Sequence, residues 1–191
     1  MQIEESAAPH SELVPRLLAG EWDGMFGFVN TIVAASLDAG IANVREQIRF
    51  LEYHDHVPDL YGMALMVTRK LAHDEPAVVT ALLAALNRGL VDTVADPEAA
   101  IDALAAYCAA LGKPFNRASN LRRLVGTLEL EMGREEGARL GIGDLDDARL
   151  ARSIQLLVET KKYVRTPMAS ELFDRSFLPP LKARVKNLHL G

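Results

Sequence analysis

Two short stretches of the chain place aromatic and polar side chains where a small molecule could be held. In the first, the apolar run Gly24-Met-Phe-Gly-Phe28 meets Asn30 and Thr31 at an expected helix start. Free backbone N–H groups at a helix start hold anionic or carbonyl groups. Phe28 adds a flat face, and Gly27 lets a ligand approach the backbone closely. A plainer alternative leaves Asn30 as a helix cap and Phe28 as core. In the second stretch, Tyr61 brings a ring and a hydroxyl to the edge of another apolar run. The Asp59 carboxylate lies two residues before it and Gly62 directly after it. These residue types suit binding: a flat wall and a few fixed donors and acceptors. Trp22 could stack on an aromatic ligand, but its place before the first run points to packing between helix and sheet. Glu52, His54, Asp55, His56 and Asp59 gather potential metal ligands in one loop. No distant ligand completes them, so a solvated loop is expected. No nucleophile elbow, phosphate-binding glycine loop or HExxH is present, so no catalytic residue, metal or cofactor is expected. The single cysteine, Cys108, reads as a small buried apolar residue in a helix.

The elements that must position these residues follow from periodicity and punctuation. Residues 1–10 read as disordered. Ser11 to Ala19 forms a short helix stopped by Gly20, and Asn30 caps a helix from Thr31 to Ala39 closed by Gly40. Short apolar or alternating runs at 24–28, 47–51 and 60–68 read as strands, the first and last of them buried. From Arg69 onward the period is helical. One helix starts at Asp74-Glu-Pro76 and runs through Val94, and a second runs from Asp96-Pro97 to about Leu111. A third runs from Asn116 through Met132, with Arg122 and Arg123 on its outer face. Gly137 to Gly143 reads as a loop. Asp144-Leu-Asp-Asp147 then caps a helix ending near Lys162. A short element follows Pro167, and Phe177 to Pro180 is an extended stop before a terminal helix over 181–188.

Composition narrows the class. Of 191 residues, 49% are hydrophobic and 25% charged, as in ordinary globular chains. The net charge of −5, without a run of Lys and Arg, excludes a phosphate backbone as partner. No uninterrupted apolar stretch reaches the roughly 18 residues of a membrane span. The acidic start MQIEESAAPHSE lacks the basic and apolar regions of a signal peptide, so as written the chain would be cytoplasmic. Two or three strands before some six helices are too few for a complete α/β fold, so the chain either is a mostly helical domain or lacks strands that sat upstream.

Four stretches then carry a family likeness: GEWDGMFGFVNT, YHDHVPDLYGMALMVTRK, EPAVVTALLAALNRGLVDTVADPEAAIDAL and FDRSFLPP. In order and spacing, from about Leu13 to Pro180, the chain resembles the substrate-binding proteins of ABC importers of the thiamine-pyrimidine-precursor, taurine and nitrate type. The resemblance implies part of a two-lobed periplasmic-binding-protein type II fold. That fold would be helix-rich α/β, with a short parallel or mixed sheet under many covering helices. Residues 11–57 would be the end of the second lobe and the hinge, and 58–191 the C-terminal, helical part of the first lobe. The implied function is a truncated solute-binding protein, not an enzyme. It would hand a pyrimidine thiamine precursor, a sulfonate or a nitrate-like anion to an ABC transporter permease. By the resemblance it is extracytoplasmic and not itself membrane-spanning. Gly27, Phe28, Asn30, Thr31, Asp59, Tyr61 and Gly62 would line the cleft, with Met63 where the family often has Asn. With half the cleft missing, weak ligand binding and self-association through an unpaired sheet edge are expected. The rival reading is a helical interaction protein that pairs with a separately encoded N-terminal half or with itself. A thiamine-pyrimidine synthase shares the fold, but its cysteine-rich motif cannot be supplied by Cys108 alone.

Overall fold

A computed structural model describes residues 10–132 and 135–188. The stretch read as disordered lies outside them except for His10. The described residues form two compact units. The first contains residues up to Phe50 together with Pro97–Glu131, and the second contains Leu51–Asp96 and Met132 onward.

The first unit is built on α1 (His10–Leu18), α2 (Val29–Asp38), α3 (Val44–Gln47), α7 (Pro97–Ala110) and α8 (Arg117–Gly126). In α2, Ile32 and Ala35 fall on one face at helical spacing and meet Val14 of α1, Val44 of α3 and Ile48. Leu17, Met25, Val33, Leu37, Ile41 and Phe50 pack around this cluster. Gly40, at φ +86°, lets the chain leave α2 by a turn in which the Ile41 N–H reaches the Ser36 carbonyl at 3.0 Å. Across α2 lies α8. A Cβ on Gly126 would stand 3.1 Å from Asn30 Cβ, tighter than an ordinary contact, so the glycine eases the close approach of the two helices. Asn116 caps α8 by accepting the Ser119 N–H at 3.0 Å. Arg117 then ties α8 to α7 by donating to Glu98 and Asp102, each at 2.5 Å.

The second unit contains α4 (Tyr53–His56), α5 (Arg69–Asp74), α6 (Pro76–Ala95), α9 (Glu135–Leu140), α10 (Asp147–Lys161) and α11 (Ala169–Leu172). In α6, Val79 is buried and Leu83, Leu90 and Val94 are half-buried on the same side. Val78, Leu82, Leu86 and Val91 remain exposed. By length and composition α6 reaches what a membrane span needs, with a mean hydropathy of 1.4 over its most apolar window. Reading by uninterrupted runs misses this, because Thr80, Asn87, Arg88 and Asp92 break the run. Asp146 caps α10 by accepting the Arg149 N–H at 3.0 Å. The helix ends on Lys162 in the left-handed region at φ 55°.

Helix richness is as expected, but the sheet is not. Among the described residues there is no strand. The runs 24–28 and 60–68 lack regular structure, and their ends at Phe28 (φ −81°, ψ 137°) and Thr68 (φ −69°, ψ 149°) are extended. The third run, 47–51, begins on the last residue of α3 and turns extended at Ile48. A strand exists only as a member of a hydrogen-bonded ladder. An apolar run carries no information about its neighbour, and among the described residues none is present. Nor are the first and last runs buried: Phe26 is 75% exposed, Met63 87% and Met66 88%. The loop expected at 137–143 is helical through Leu140. The helix expected at 181–188 is reduced to a 3₁₀ turn at Leu181–Ala183.

Candidate ligand-binding site

In the first unit the site residues sit at the start of α2. Its N-cap is Phe28, not Asn30, and no side chain caps it. Asn30 is already inside the helix and buried. Its amide nitrogen donates to Thr127 Oγ1 at 2.5 Å, and its amide oxygen accepts the Thr31 N–H at 2.5 Å and the Thr31 hydroxyl at 3.1 Å. The polar atoms of Asn30 are therefore satisfied within the chain, which a buried amide requires. Phe28 is 51% exposed, so its ring is available as a flat face. Gly27 is exposed beside it. Trp22 stacks against the Arg16 guanidinium, 4.8 Å from the ring centroid.

In the second unit Asp59, Tyr61 and Gly62 lie on the segment between α4 and α5, and α9 and α10 hold that segment. Arg152 grips Asp59 through a two-pronged fork, Nε to Oδ2 and Nη2 to Oδ1, each 2.9 Å. Ser153 Oγ donates to the Asp59 carbonyl, and Arg149 Nη2 donates to the Leu60 carbonyl at 2.9 Å. The Tyr61 hydroxyl donates to Glu136 Oε1 at 2.5 Å and accepts the Asp146 N–H at 3.0 Å. Glu136 accepts the same N–H at 2.7 Å and Arg149 Nη1 at 2.8 Å. The Arg149 guanidinium covers the Tyr61 ring at 4.1 Å.

Charge follows this geometry. Burial, then the bond to Glu136, pushes the Tyr61 hydroxyl up to about 12. Burial alone would raise Glu136, but the bonds from Tyr61, Arg149 and the Asp146 N–H outweigh it and hold the carboxyl below its ordinary value. The Arg152 fork holds Asp59 low in the same sense.

The sequence singled out Asp59 and Tyr61 as candidates but not the residues that bond them, Glu136, Arg149 and Arg152. The only available signal was that Arg149 and Arg152 are three apart, on one face of α10. Arg122, expected on the outer face of α8, is instead half-buried and bonded to Asp38. In the His-rich segment, α4 places His54 beside Glu52 at 3.4 Å and Asp55 at 3.1 Å. Among the described residues no group of three or more metal-ligating side chains comes together. An open depression of about 520 Å³ in the second unit is lined by Asp147, Ala169, Ser170, Phe173, Asp174 and Arg175, and includes none of the expected site residues.

A family model described as "NMT1/THI5 like" matches residues 2–100, slightly over half of the chain. The chain belongs to the NMT1/THI5-like family. Most of that family are substrate-binding proteins of ABC transport, and synthases also occur in it. No match to a curated protein or to a solved structure was found.

Proposed function

We propose that the chain acts as the solute-binding component of an ABC importer. It takes a small organic molecule, either a pyrimidine thiamine precursor or a sulfonate or nitrate-like anion, and delivers it to a permease outside the cytoplasm. The observation that carries this reading is the family match, because residues 2–100 contain all seven candidate contacts. In the first unit Phe28 supplies a ring face and Gly27 the close approach, with Asn30 and Thr31 as polar groups, and in the second unit Tyr61 supplies a hydroxyl beside Gly62. No chemical step is required of the chain. Its affinity is weak, because Asn30 and Tyr61 already have partners within the chain that a ligand must displace. A thermal-shift panel with a pyrimidine precursor, taurine and nitrate tests this. A small saturable shift with one class is expected, and the absence of saturation with every class would overturn the proposal.

A second reading, an interaction protein, is favoured by one observation. None of residues 62–67 makes a hydrogen bond among the described residues, while Met63, Leu65 and Met66 are exposed. An extended apolar segment with open backbone groups is a template for a partner strand. Light scattering that shows a monomer across micromolar concentrations would remove self-pairing from this reading.

A further inference from the structure

We infer that Arg152 of α10 is the binding group for the oxyanion head of the ligand, a sulfonate, nitrate or carboxylate, and that the Asp59 side chain fills this position when no ligand is bound. The inference rests on the solute-binding reading and gives it a specific contact.

Asp59 presents two oxygens to Nε and Nη2 of Arg152 at equal distances of 2.9 Å. Any planar or tetrahedral oxyanion offers the same pair of acceptors, and a guanidinium fork recognises that pair rather than the molecule behind it. The fork is reachable, since the Arg152 side chain is 59% exposed and that of Asp59 32%. Half-exposed ion pairs hold weakly, so an incoming anion competes on nearly even terms.

Exchange needs little movement. The Asp59 backbone is fixed by Ser153 through its carbonyl, and the next carbonyl, of Leu60, by Arg149. Only the carboxylate has to turn away for Arg152 to be free. The other groups facing Arg152 are already engaged: the Asp146 carboxylate by Arg139 at 2.5 Å and the Tyr61 hydroxyl by Glu136. Asp59 is then an internal competitor for the ligand, and not one of its contacts.

Calorimetric titration of nitrate and taurine, with chloride and a neutral pyrimidine as comparisons, tests the assignment in the wild type, Asp59→Asn, Arg152→Lys and Arg152→Gln. Removing the competing carboxylate in Asp59→Asn should tighten oxyanion binding by about tenfold. Arg152→Gln should abolish it, and Arg152→Lys, which keeps the charge but loses the fork, should fall between. Unchanged oxyanion affinity in Arg152→Gln, or equal binding of chloride, overturns the assignment. Pyrimidine binding without any oxyanion binding overturns it while leaving the solute-binding reading standing. Failure of every ligand overturns both.

Discussion

Each of the two units is held together internally by a different kind of force. In the first, Val14, Ile32, Ala35, Val44 and Ile48 form a continuous apolar cluster, with Ile101 and Leu128 also buried in the unit. In the second, few apolar side chains are buried, and charged pairs join its segments. Asp144 bonds Arg175 at 2.7 Å and Arg184 at 2.6 Å, Glu136 bonds Arg149, and Asp59 bonds Arg152. Apolar burial is non-directional and insensitive to pH, whereas paired charges are directional and titrate. The difference bears on the expected contacts: those in the first unit belong to a packed helix start, and those in the second to a cluster of paired charges.

Truncating the apolar cluster should give the largest effect. Ile32→Ala removes a side chain only 5% exposed and should cost about 2–4 kcal/mol, read as a lower urea midpoint. The next largest should come from the polar cluster. Glu136→Gln leaves the Arg149 guanidinium, 21% exposed, without its charge partner and should cost about 1–3 kcal/mol. Because Glu136 and Asp144 are both held below their ordinary values, their contribution is complete above about pH 4.5 and is lost as pH falls through the lowered values. Acid titration followed by circular dichroism should therefore show a loss in the wild type that is reduced in Glu136→Gln. The same substitution should lower the Tyr61 ionisation from about 12, read by ultraviolet titration. The smallest effect belongs to the helix start. Thr127→Val deprives the Asn30 amide of its acceptor and should cost about 1 kcal/mol, a fall in Tm of about 2–4 °C.

Helices were legible where caps and period agree. Asp146 before α10, Pro76 opening α6 and Gly40 closing α2 are local signals that the fold obeys. What failed was non-local. The runs at 24–28 and 60–68 have strand composition, but a ladder depends on a neighbour that composition does not encode. Asn30 looks like a cap from its flanks, yet its amide partner, Thr127, lies 97 positions away. The glycines at 137, 141 and 143 suggested a loop and obscured α9, which carries Glu136. Asp59 and Tyr61 were visible because their types stand out, whereas Arg149 and Arg152 resemble ordinary solvated helix charges until their partners are seen.

The exposed run from Gly62 to Val67 has a chemical consequence. Met63 and Met66 present their thioethers to solvent at 87% and 88% exposure, while Met25 is half-covered by the apolar cluster of the first unit. Peroxide should reach the two exposed sulfurs first. Conversion to the sulfoxide turns flexible apolar side chains into polar ones, and methionine sulfoxide reductases reverse it. The hydrophobic character of this segment is thus open to redox control, and Met25 keeps its state longer than either.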